Sequence, residues 1–268
     1  MTTSQDPVGA LLRHWREQRR RSQLDVSIAA DLSARHLSFI ETGRSMPSRQ
    51  MLGRLCDELE VPLRDRNGLY LAAGFAPVHE ERPLDRIPFA RAAVDAVLDG
   101  HEPYPAVAVD ACWDLVSANR AMTRLLDMVP GALRTPRLNM LRAALHPDGL
   151  AAQLRNYEQW RAHVVRRIRR QLERTAARGL TELLAEISGY PTPPGATAGA
   201  GADDTADMVP MVLATEFGEL RLSYVLSVFG APRDVTIDEI AIESFFPADA
   251  ATREILWALS TRTPESSQ

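Results

Sequence analysis

Arginine is the only strongly basic side chain in this sequence: the chain has 31 arginines and no lysine. A guanidinium group stays charged at physiological pH and binds phosphates and carboxylates through paired hydrogen bonds. A chain without lysine cannot form a Walker-type phosphate loop, a protein kinase site or a pyridoxal Schiff base. The chemistry open to these arginines is therefore the recognition of anions.

The histidines and cysteines predict neither a metal site nor a catalytic site. The six histidines (14, 36, 79, 101, 146 and 163) show no His-Glu-x-x-His spacing, and no cysteine stands where it would complete a metal site. The chain also lacks G-x-S-x-G and G-x-G-x-x-G motifs. His146–Gly149 is typical of a turn that ends a helix. We therefore expect a protein that is not an enzyme and holds no metal or cofactor.

Charge is distributed unevenly along the 268 residues, a length that favours two domains. Residues 1–54 hold nine arginines against five acids, a net charge of +4, whereas residues 190–268 hold four arginines against twelve acids, a net charge of −8. A basic module joined to an acidic one is the simplest interpretation. Two cysteines are too few for a disulfide framework, and the N-terminus lacks the apolar core of a secretory signal, so we expect a cytoplasmic protein. No apolar run is long enough to predict a membrane segment.

The first 75 residues have the pattern of five short helices. Ser22, Ser33 and Ser48 stand where helix N-caps are expected, and Gly43 and Gly74 stand where helices should end. Short helices with tight joints are typical of bundles of the helix-turn-helix kind.

The segment between Ser22 and Ser48 has the spacing that a DNA-binding helix pair needs. Ala29 or Ala30 supplies a small residue where two helices cross, and Asp31–Leu32 supplies the turn. Ser33–His36 then forms the polar start of a second helix, the one that enters the major groove in such proteins. This spacing predicts a double-stranded DNA operator as the partner.

The string SQLDVSIAADLSARHLSFIETGRSMPSRQMLGRLCDEL resembles the repressor-type, or Xre, helix-turn-helix family. Asp31 stands where that family usually has glycine. The resemblance implies phosphate contacts from Gln23 and Ser48, and a backbone contact beside the groove from Arg44. It implies base contacts from Arg35, His36 and Ser38. Ser33, at the start of the second helix, is also expected among the DNA-binding residues. Glu41 is expected to be structural. The alternative is that these residues are the solvated surface of a bundle that binds a protein partner.

One DNA-reading helix covers one half-site, so we expect a homodimer on palindromic DNA. Arg35 is the residue expected to bridge the two acceptors of a guanine.

The remainder of the chain has the pattern of an α+β domain with an antiparallel sheet covered on one face. A proline-punctuated linker, 77–88, divides a first domain, 1–76, from a second, 89–262. The predicted strands are 106–109, 112–116, 208–215, 220–229 and 235–246. The predicted helices are 89–98, 119–126 and a helical region over 139–188 with a long helix at 156–178, followed by a flexible loop at 192–207.

Three stretches of the second domain, YPAVAVDACWDLVSANRAMTRLL, RLNMLRAALHPDGLAAQLRNYEQW and VTIDEIAIESFFPADAATREIL, resemble the MmyB-like regulators. That resemblance implies a PAS-like fold and an apolar pocket for a small apolar or amphiphilic ligand, of which a fatty acid is the expected example. The predicted fold class is therefore a five-helix helix-turn-helix bundle followed by a PAS-like antiparallel-sheet domain covered by helices. The expected apolar lining is Val107, Val109, Leu115, Leu141, Trp160, Val164, Ile168, Leu226, Phe229 and Ile242.

Four polar residues at positions within these stretches are candidates for holding a ligand head group: Asn119, Asn139, Arg142 and Asn156. Asn119 is equally a candidate helix cap. The basic run Arg166, Arg167, Arg169 and Arg170 is expected to form the solvated face of a helix. The alternatives for the domain are a plain apolar core, and a dimerisation or protein-docking module without a small-molecule ligand.

Overall fold

The computed structural model describes residues 7–175, 177, 179–194 and 209–261. These residues divide into two compact units, the first made of 7–83 with 231–238 and the second of the described residues between 84 and 230 together with 239–261. Most of the loop expected at 192–207 lies outside the described residues, as do Arg178, Met208 and the predicted domain end at 262. Among the described residues, no helix combines the length and apolar character needed to cross a membrane.

The first unit contains the five predicted helices. They are α1 Val8–Gln18, α2 Gln23–Ala29, α3 Ala34–Glu41, α4 Arg49–Glu58 and α5 Leu63–Ala72. Serine N-caps begin three of them: the side chains of Ser22, Ser33 and Ser48 accept hydrogen bonds from backbone amides three residues later. Ser22 also forms a reciprocal capping box with Asp25. These local contacts confirm the predicted helix starts.

Leucines from several helices form the core of this unit, among them Leu12, Leu37, Leu52 and Leu55, each at most 1% exposed. Helix α1 approaches the end of α3 closely at Gly9, where an added Cβ atom would lie 2.2 Å from the carbonyl oxygen of Ile40. The absence of a Cβ atom at Gly9 therefore lets these two helices pack at this distance.

Residues 231–238 belong to the first unit although they lie between two strands of the second. Here the sequence prediction was wrong: the expected strand 235–246 begins with a short helix, α12 Val235–Glu239, and only Ala241–Pro247 is a strand. The Asp234 side chain is 5% exposed and pairs with Arg82 at 3.0 Å. The amide of Val235, itself buried, donates to the carbonyl of Glu80. These contacts hold the segment to the chain just after α5.

The second unit contains a five-stranded antiparallel sheet of order β2-β1-β5-β4-β3. Its strands are β1 Ala106–Val109, β2 Leu115–Ala118, β3 Met211–Thr215, β4 Gly218–Val228 and β5 Ala241–Pro247. Strands β4 and β5 pair from Leu222↔Pro247 to Val228↔Ala241. The predicted strand 112–116 is displaced, because the Asp110 carboxylate accepts from the amides of Cys112 and Asp114 and holds a turn there.

Helices surround this sheet, and the long helical region of the prediction is broken into shorter pieces. The helices are α6 Pro88–Gly100, α7 Arg120–Leu126, α8 Gly131–Arg134, α9 Met140–Leu145, α10 Tyr157–Thr175, α11 Leu180–Ser188 and α13 Ala250–Thr261. Short 3-10 turns occur at Leu84–Arg86 and Ala151–Gln153. Helices α7, α9, α10 and α11 contribute side chains to one apolar core together with the sheet. The predicted fold class is confirmed as a helical bundle followed by an antiparallel sheet with helices.

Candidate functional site

The turn between α2 and α3 has the geometry that a helix-turn-helix needs. Asp31 adopts a left-handed backbone conformation with φ of 54°, which asparagine and aspartate tolerate better than most residues. The amide of Leu32 donates to the carbonyl of Ser27 at 2.8 Å. Ala30 is 2% exposed, so it is the small residue at the crossing, whereas Ala29 lies on the surface. Aspartate therefore replaces the usual glycine without loss of the turn.

The start of α3 is open to solvent. Ser33 and Arg35 are exposed, and His36 and Ser38 are partly exposed. The Ser33 hydroxyl also caps the helix by accepting from the amide of His36 at 3.1 Å. Basic and hydroxyl side chains on an open helix start are the groups that contact phosphates and base edges.

Two arginines flank one aromatic ring beside this helix. The guanidinium carbons of Arg35 and Arg44 lie 5.4 and 5.9 Å from the centre of the Phe39 ring. Such contacts are weak in water, but they restrict where long side chains point. Arg44 is exposed, as is Ser48 at the start of α4. The structure thus brings Arg35 and Arg44 together.

Gln23 is engaged within the unit. Its side-chain amide donates to the Glu41 carboxylate at 2.8 Å. The same carboxylate accepts from Arg16 at 2.6 and 3.0 Å. Glu41 thus links three helices, in agreement with the structural role expected for it. The phosphate contact of Gln23 stays a prediction.

The second unit contains an apolar cavity of about 50 Å³. Helices α7, α9 and α10, the sheet and the segment between α9 and α10 supply its lining. The lining residues are Met122, Leu125, Leu126, Met140, Leu141, Ala143, Ala144, Leu150, Trp160, Val164, Arg167, Met211, Leu213, Leu222, Glu243 and Phe245. Leu141, Trp160 and Val164 were predicted from the sequence to line a pocket. The cavity lies in the core that the sheet and these helices share.

The other apolar residues predicted for the pocket lie elsewhere. Val107, Val109 and Ile168 belong to the surrounding core, and Leu115 packs against it. Ile242 is buried, Phe229 is partly exposed and Leu226 is 40% exposed. Leu226 and Val228 sit in the second half of β4, where the strand continues beyond the buried Leu222. The alternation of apolar and polar residues predicted the strand β4, but it did not show that the buried part of this strand ends near Leu222.

The four polar candidates hold the protein itself together. Asn119 caps α7 and donates to the carbonyls of Leu98 and Tyr104. Asn139 caps α9 and donates to Cys112 and Asp114.

Asn156 and Arg142 are likewise paired with other groups of the protein. Asn156 bridges Pro210 and Val212 at the start of β3. Arg142 forms an ion pair with Glu186 at 2.7 Å. Of the four candidates, none is part of the described cavity lining.

Arg167 and Glu243 form a buried ion pair at the cavity. Their nitrogen and oxygen lie 2.6 Å apart, and the side chains are 16% and 6% exposed. The Arg167 guanidinium lies between Trp113 and Tyr224, 4.1 and 4.8 Å from the ring centres. Burial acts to lower the pKa of Arg167, but Glu243 and Tyr224 outweigh it, so the pKa is raised and the charge is retained.

This ion pair corrects the expectation that Arg167 lies on a solvated face. Arg166, Arg169 and Arg170 are exposed, but Arg167 points inward. It follows Val164 by three positions and Trp160 by seven, the spacing of one helix face. The sequence therefore carried a signal for its burial, which the abundance of arginine in the run obscured.

Two buried donors on cavity-lining residues have no partner within the described part of the chain: the indole Nε1 of Trp160 and the Nε of Arg167. Buried donors are nearly always paired in folded proteins, and an unpaired one costs free energy. A bound molecule with a hydrogen-bond acceptor would therefore satisfy these two donors.

A larger, open groove of about 400 Å³ lies on the other side of α7. It is lined by residues of α7, α13 and the turn between β3 and β4, with Phe217, Leu256 and Leu259 among them. Leu125 lines both this groove and the apolar cavity, so the two spaces are neighbours. Groups of acids, histidines and cysteines suited to a metal ion do not occur among the described residues.

Two family models match the chain. One, described as a helix-turn-helix domain, matches residues 7–69. The other, described as the MmyB-like transcription regulator ligand binding domain, matches residues 90–259 and so includes every residue of the cavity lining.

Two curated proteins are also similar to the chain, both named transcriptional regulator ClgR, from the CDC 1551 / Oshkosh and ATCC 25618 / H37Rv strains of Mycobacterium tuberculosis. Each is 35% identical over 85 residues, which are 32% of this chain and 73% of the relative. The ligand-binding family model and the two curated relatives are thus both described as transcription regulators.

Proposed function

Because this chain belongs to the family of transcription regulators with an MmyB-like ligand-binding domain, we propose that it binds a specific DNA operator through its first unit and senses a small apolar or amphiphilic ligand through its second. The observation that carries the proposal is the cavity beside Trp160 and Arg167, with its two unpaired donors. The five-stranded sheet with its helices supports the PAS-like description. The proposal includes no catalytic step and places the protein in the cytoplasm with its DNA.

The DNA contacts are assigned from the exposed start of α3. Arg35 faces base edges together with His36, Ser33 and Ser38, and Arg44, Gln23 and Ser48 contact the sugar-phosphate backbone. One helix of this length covers a single half-site, so the proposed DNA-bound form is a homodimer on a two-fold operator.

Replacing Arg35 with alanine should weaken binding to the cognate operator by about 1–3 kcal/mol and relax the preference at one base pair. The reason is that a guanidinium can bridge two acceptors of a guanine, and alanine cannot. Competition binding on operator variants measures the effect, with Arg13→Ala as the control, since Arg13 lies on α1 and pairs with Glu17. An equal loss on random DNA would make Arg35 a phosphate contact instead.

The ligand class is inferred from the lining. Apart from Arg167 and Glu243, the residues around the cavity are aliphatic, aromatic or methionine side chains. Such a surface favours an acyl chain, and a fatty acid is the example that the sequence resemblance suggested. The neighbouring groove, which shares Leu125 with the cavity, offers space for the longer part of such a molecule.

The chain path supplies a connection between ligand and DNA. Strand β4 ends at Val228 and β5 begins at Ala241, and the residues between them, 231–238, form part of the DNA-binding unit. Glu243, which lines the cavity, stands two residues inside β5. A ligand that shifts these strands therefore acts on a segment fixed beside Arg82 and Glu80. The chain also passes from the first unit to the second between Pro83 and Leu84, within the segment 77–88 that the sequence predicted as a linker.

Ligand binding is expected to change operator affinity by about five- to 150-fold, the range of typical coupling free energies. Operator titrations with and without a panel of acyl compounds, all at one salt concentration because phosphate contacts are salt-dependent, measure this. Asp234→Asn should reduce the ligand effect while both binding reactions persist, because it removes the ion pair with Arg82.

The matched control for that variant is Asp57→Asn, an exposed acid of the same unit that pairs with Arg66. Identical titration curves across a broad panel of apolar metabolites would instead make the second unit a dimerisation or protein-docking module.

A further inference from the structure

The two outermost strands of the sheet have segments of the same chain beside their outer edges. Beside β3, the amide of Arg155 donates to the carbonyl of Val212 at 2.9 Å. Beside β2, the amide of Leu115 donates to the carbonyl of Leu138 at 2.8 Å. An uncovered edge presents unpaired backbone groups to other chains, and folded proteins commonly cover their edges for this reason.

The second half of β4 lacks such a cover in the part of the chain that the structure describes. Strand β3 pairs with β4 only between Gly218 and Leu222, so Ser223–Val228, called here the open segment, pairs with β5 on one side alone. Six residues of strand span about 20 Å. The backbone groups of the open segment that are directed away from β5 are therefore available to a further strand.

The side chains of the open segment are uncharged, and three of them are apolar and exposed. Val225, Leu226 and Val228 are 52, 40 and 67% exposed, and Phe246 on the adjoining strand β5 is 41% exposed. Edges that must remain unpaired usually carry a charge, a proline or a bulge. The open segment has no charged residue and no proline, and its pairing with β5 is regular throughout. It therefore has the properties of a strand that pairs.

We propose that the open segment is the dimer contact of this chain, where it pairs in antiparallel orientation with the open segment of a second copy. The proposal rests on the homodimer of the proposed function and deepens it by naming the surface that forms the dimer. Two identical strands in antiparallel orientation are related by a two-fold axis, which is the symmetry of a palindromic operator.

The charge of the open segment favours a second copy as its partner. Opposite residues of an antiparallel pair lie on the same face of the sheet, so a pair centred on Val225 or on Leu226 places apolar side chains, tyrosine and serine against one another. No charge meets a like charge in either register. A strand without charges has no charge pattern to select a different protein, but it pairs with itself without repulsion.

The experiment exchanges charges at Val225, because both registers place its two copies opposite or diagonal to each other. Val225→Arg and Val225→Glu should each raise the dissociation constant of the dimer at least about tenfold, since like charges then meet near the two-fold axis. An equimolar mixture of the two variants should form a heterodimer, because opposite charges meet there. Sedimentation velocity of the full chain without DNA measures all three samples.

Trp257→Arg is the matched control. Trp257 lies on α13 of the same unit and is 53% exposed, close to the value for Val225, so this variant should dimerise as the wild type does. Unfolding temperatures of the variants show whether each one folds.

Hydrogen exchange of the wild-type chain tests the same contact without a substitution. Amides of the open segment that are directed away from β5 should exchange more slowly in the dimer than after dilution to the monomer. Equal protection in dimer and monomer would overturn the proposal, because residues of the same chain would then cover this edge.

The remaining outcomes separate this surface from the proposed function. A folded Val225→Arg variant that dimerises as tightly as the wild type would overturn the surface and leave operator binding by a homodimer intact. A wild-type chain that is monomeric at the highest concentration reached would also overturn it. Titration of operator DNA then decides separately whether a homodimer forms on DNA.

Discussion

Glu41→Gln is expected to destabilise the DNA-binding unit by about 3 kcal/mol, because it removes the closest and most buried counter-ion of Arg16 and leaves only the exposed Glu17 at 3.8 Å. The Glu41 side chain is 2% exposed and that of Arg16 is 12% exposed. The carboxylate accepts two hydrogen bonds from Arg16 and one from Gln23, and Arg16 also donates to the carbonyl of Arg21. Removal of the charge therefore weakens a network that joins α1, α2 and α3.

Urea denaturation with amide hydrogen exchange over residues 7–72 measures this effect on the first unit separately. Glu81→Gln is the matched control, since Glu81 forms an exposed ion pair with Arg64 and its loss should leave stability nearly unchanged. Operator affinity should fall for Glu41→Gln at temperatures where the unit begins to unfold. Equal stability of the two variants would show that Glu41 is not needed to hold these helices together.

Gly9→Ala should cost about 3 kcal/mol or more, through overlap of the new methyl group with backbone atoms. The added Cβ would lie 2.2 Å from the carbonyl oxygen of Ile40 and 2.9 Å from that of Glu41. Backbone cannot rotate away as a side chain can, so α1 must move from the end of α3. Ile40 and Glu41 are the last two residues of α3, so this movement also disturbs the contacts that hold the DNA-reading helix against α1.

Gly68→Ala provides the control with the opposite sign. Gly68 lies within α5, and an added Cβ there meets no described atom within 4 Å. Alanine is the better helix former, so this variant should gain about 0.5–1 kcal/mol. Thermal unfolding of both variants compares the two glycines directly. A Gly9→Ala protein as stable as Gly68→Ala would contradict the close approach of α1 and α3.

The sequence was sufficient for the helix-turn-helix because its signals are local. Ser22, Ser33 and Ser48 cap helices through contacts three residues away, and Gly43 and Gly74 adopt the left-handed conformation that ends helices. The order and number of helices follow from such short-range chemistry. Asp31 is a further local signal, because aspartate tolerates the positive φ that this turn requires and can therefore stand where the family usually has glycine.

The second unit was predictable in class but less so in its strand ends. The expected strand at 235–246 became a helix followed by β5, because residues 231–238 pack into the first unit through Asp234 and Val235. Their partners, Arg82 and Glu80, are about 150 residues away in the chain, as the separation of 152 between Arg82 and Asp234 shows. Periodicity cannot detect partners at such a distance.

The sequence by itself determined that this protein is a helix-turn-helix bundle joined to an antiparallel-sheet domain with helices, and it indicated Leu141, Trp160 and Val164 as lining residues. Only the tertiary structure decided which polar groups meet the cavity. Asn119, Asn139, Arg142 and Asn156 are used as caps and internal partners, whereas Arg167 is drawn inward by Glu243 on β5. The physical reason is that a buried charge is stable only beside its counter-ion, and that counter-ion lies 76 residues away.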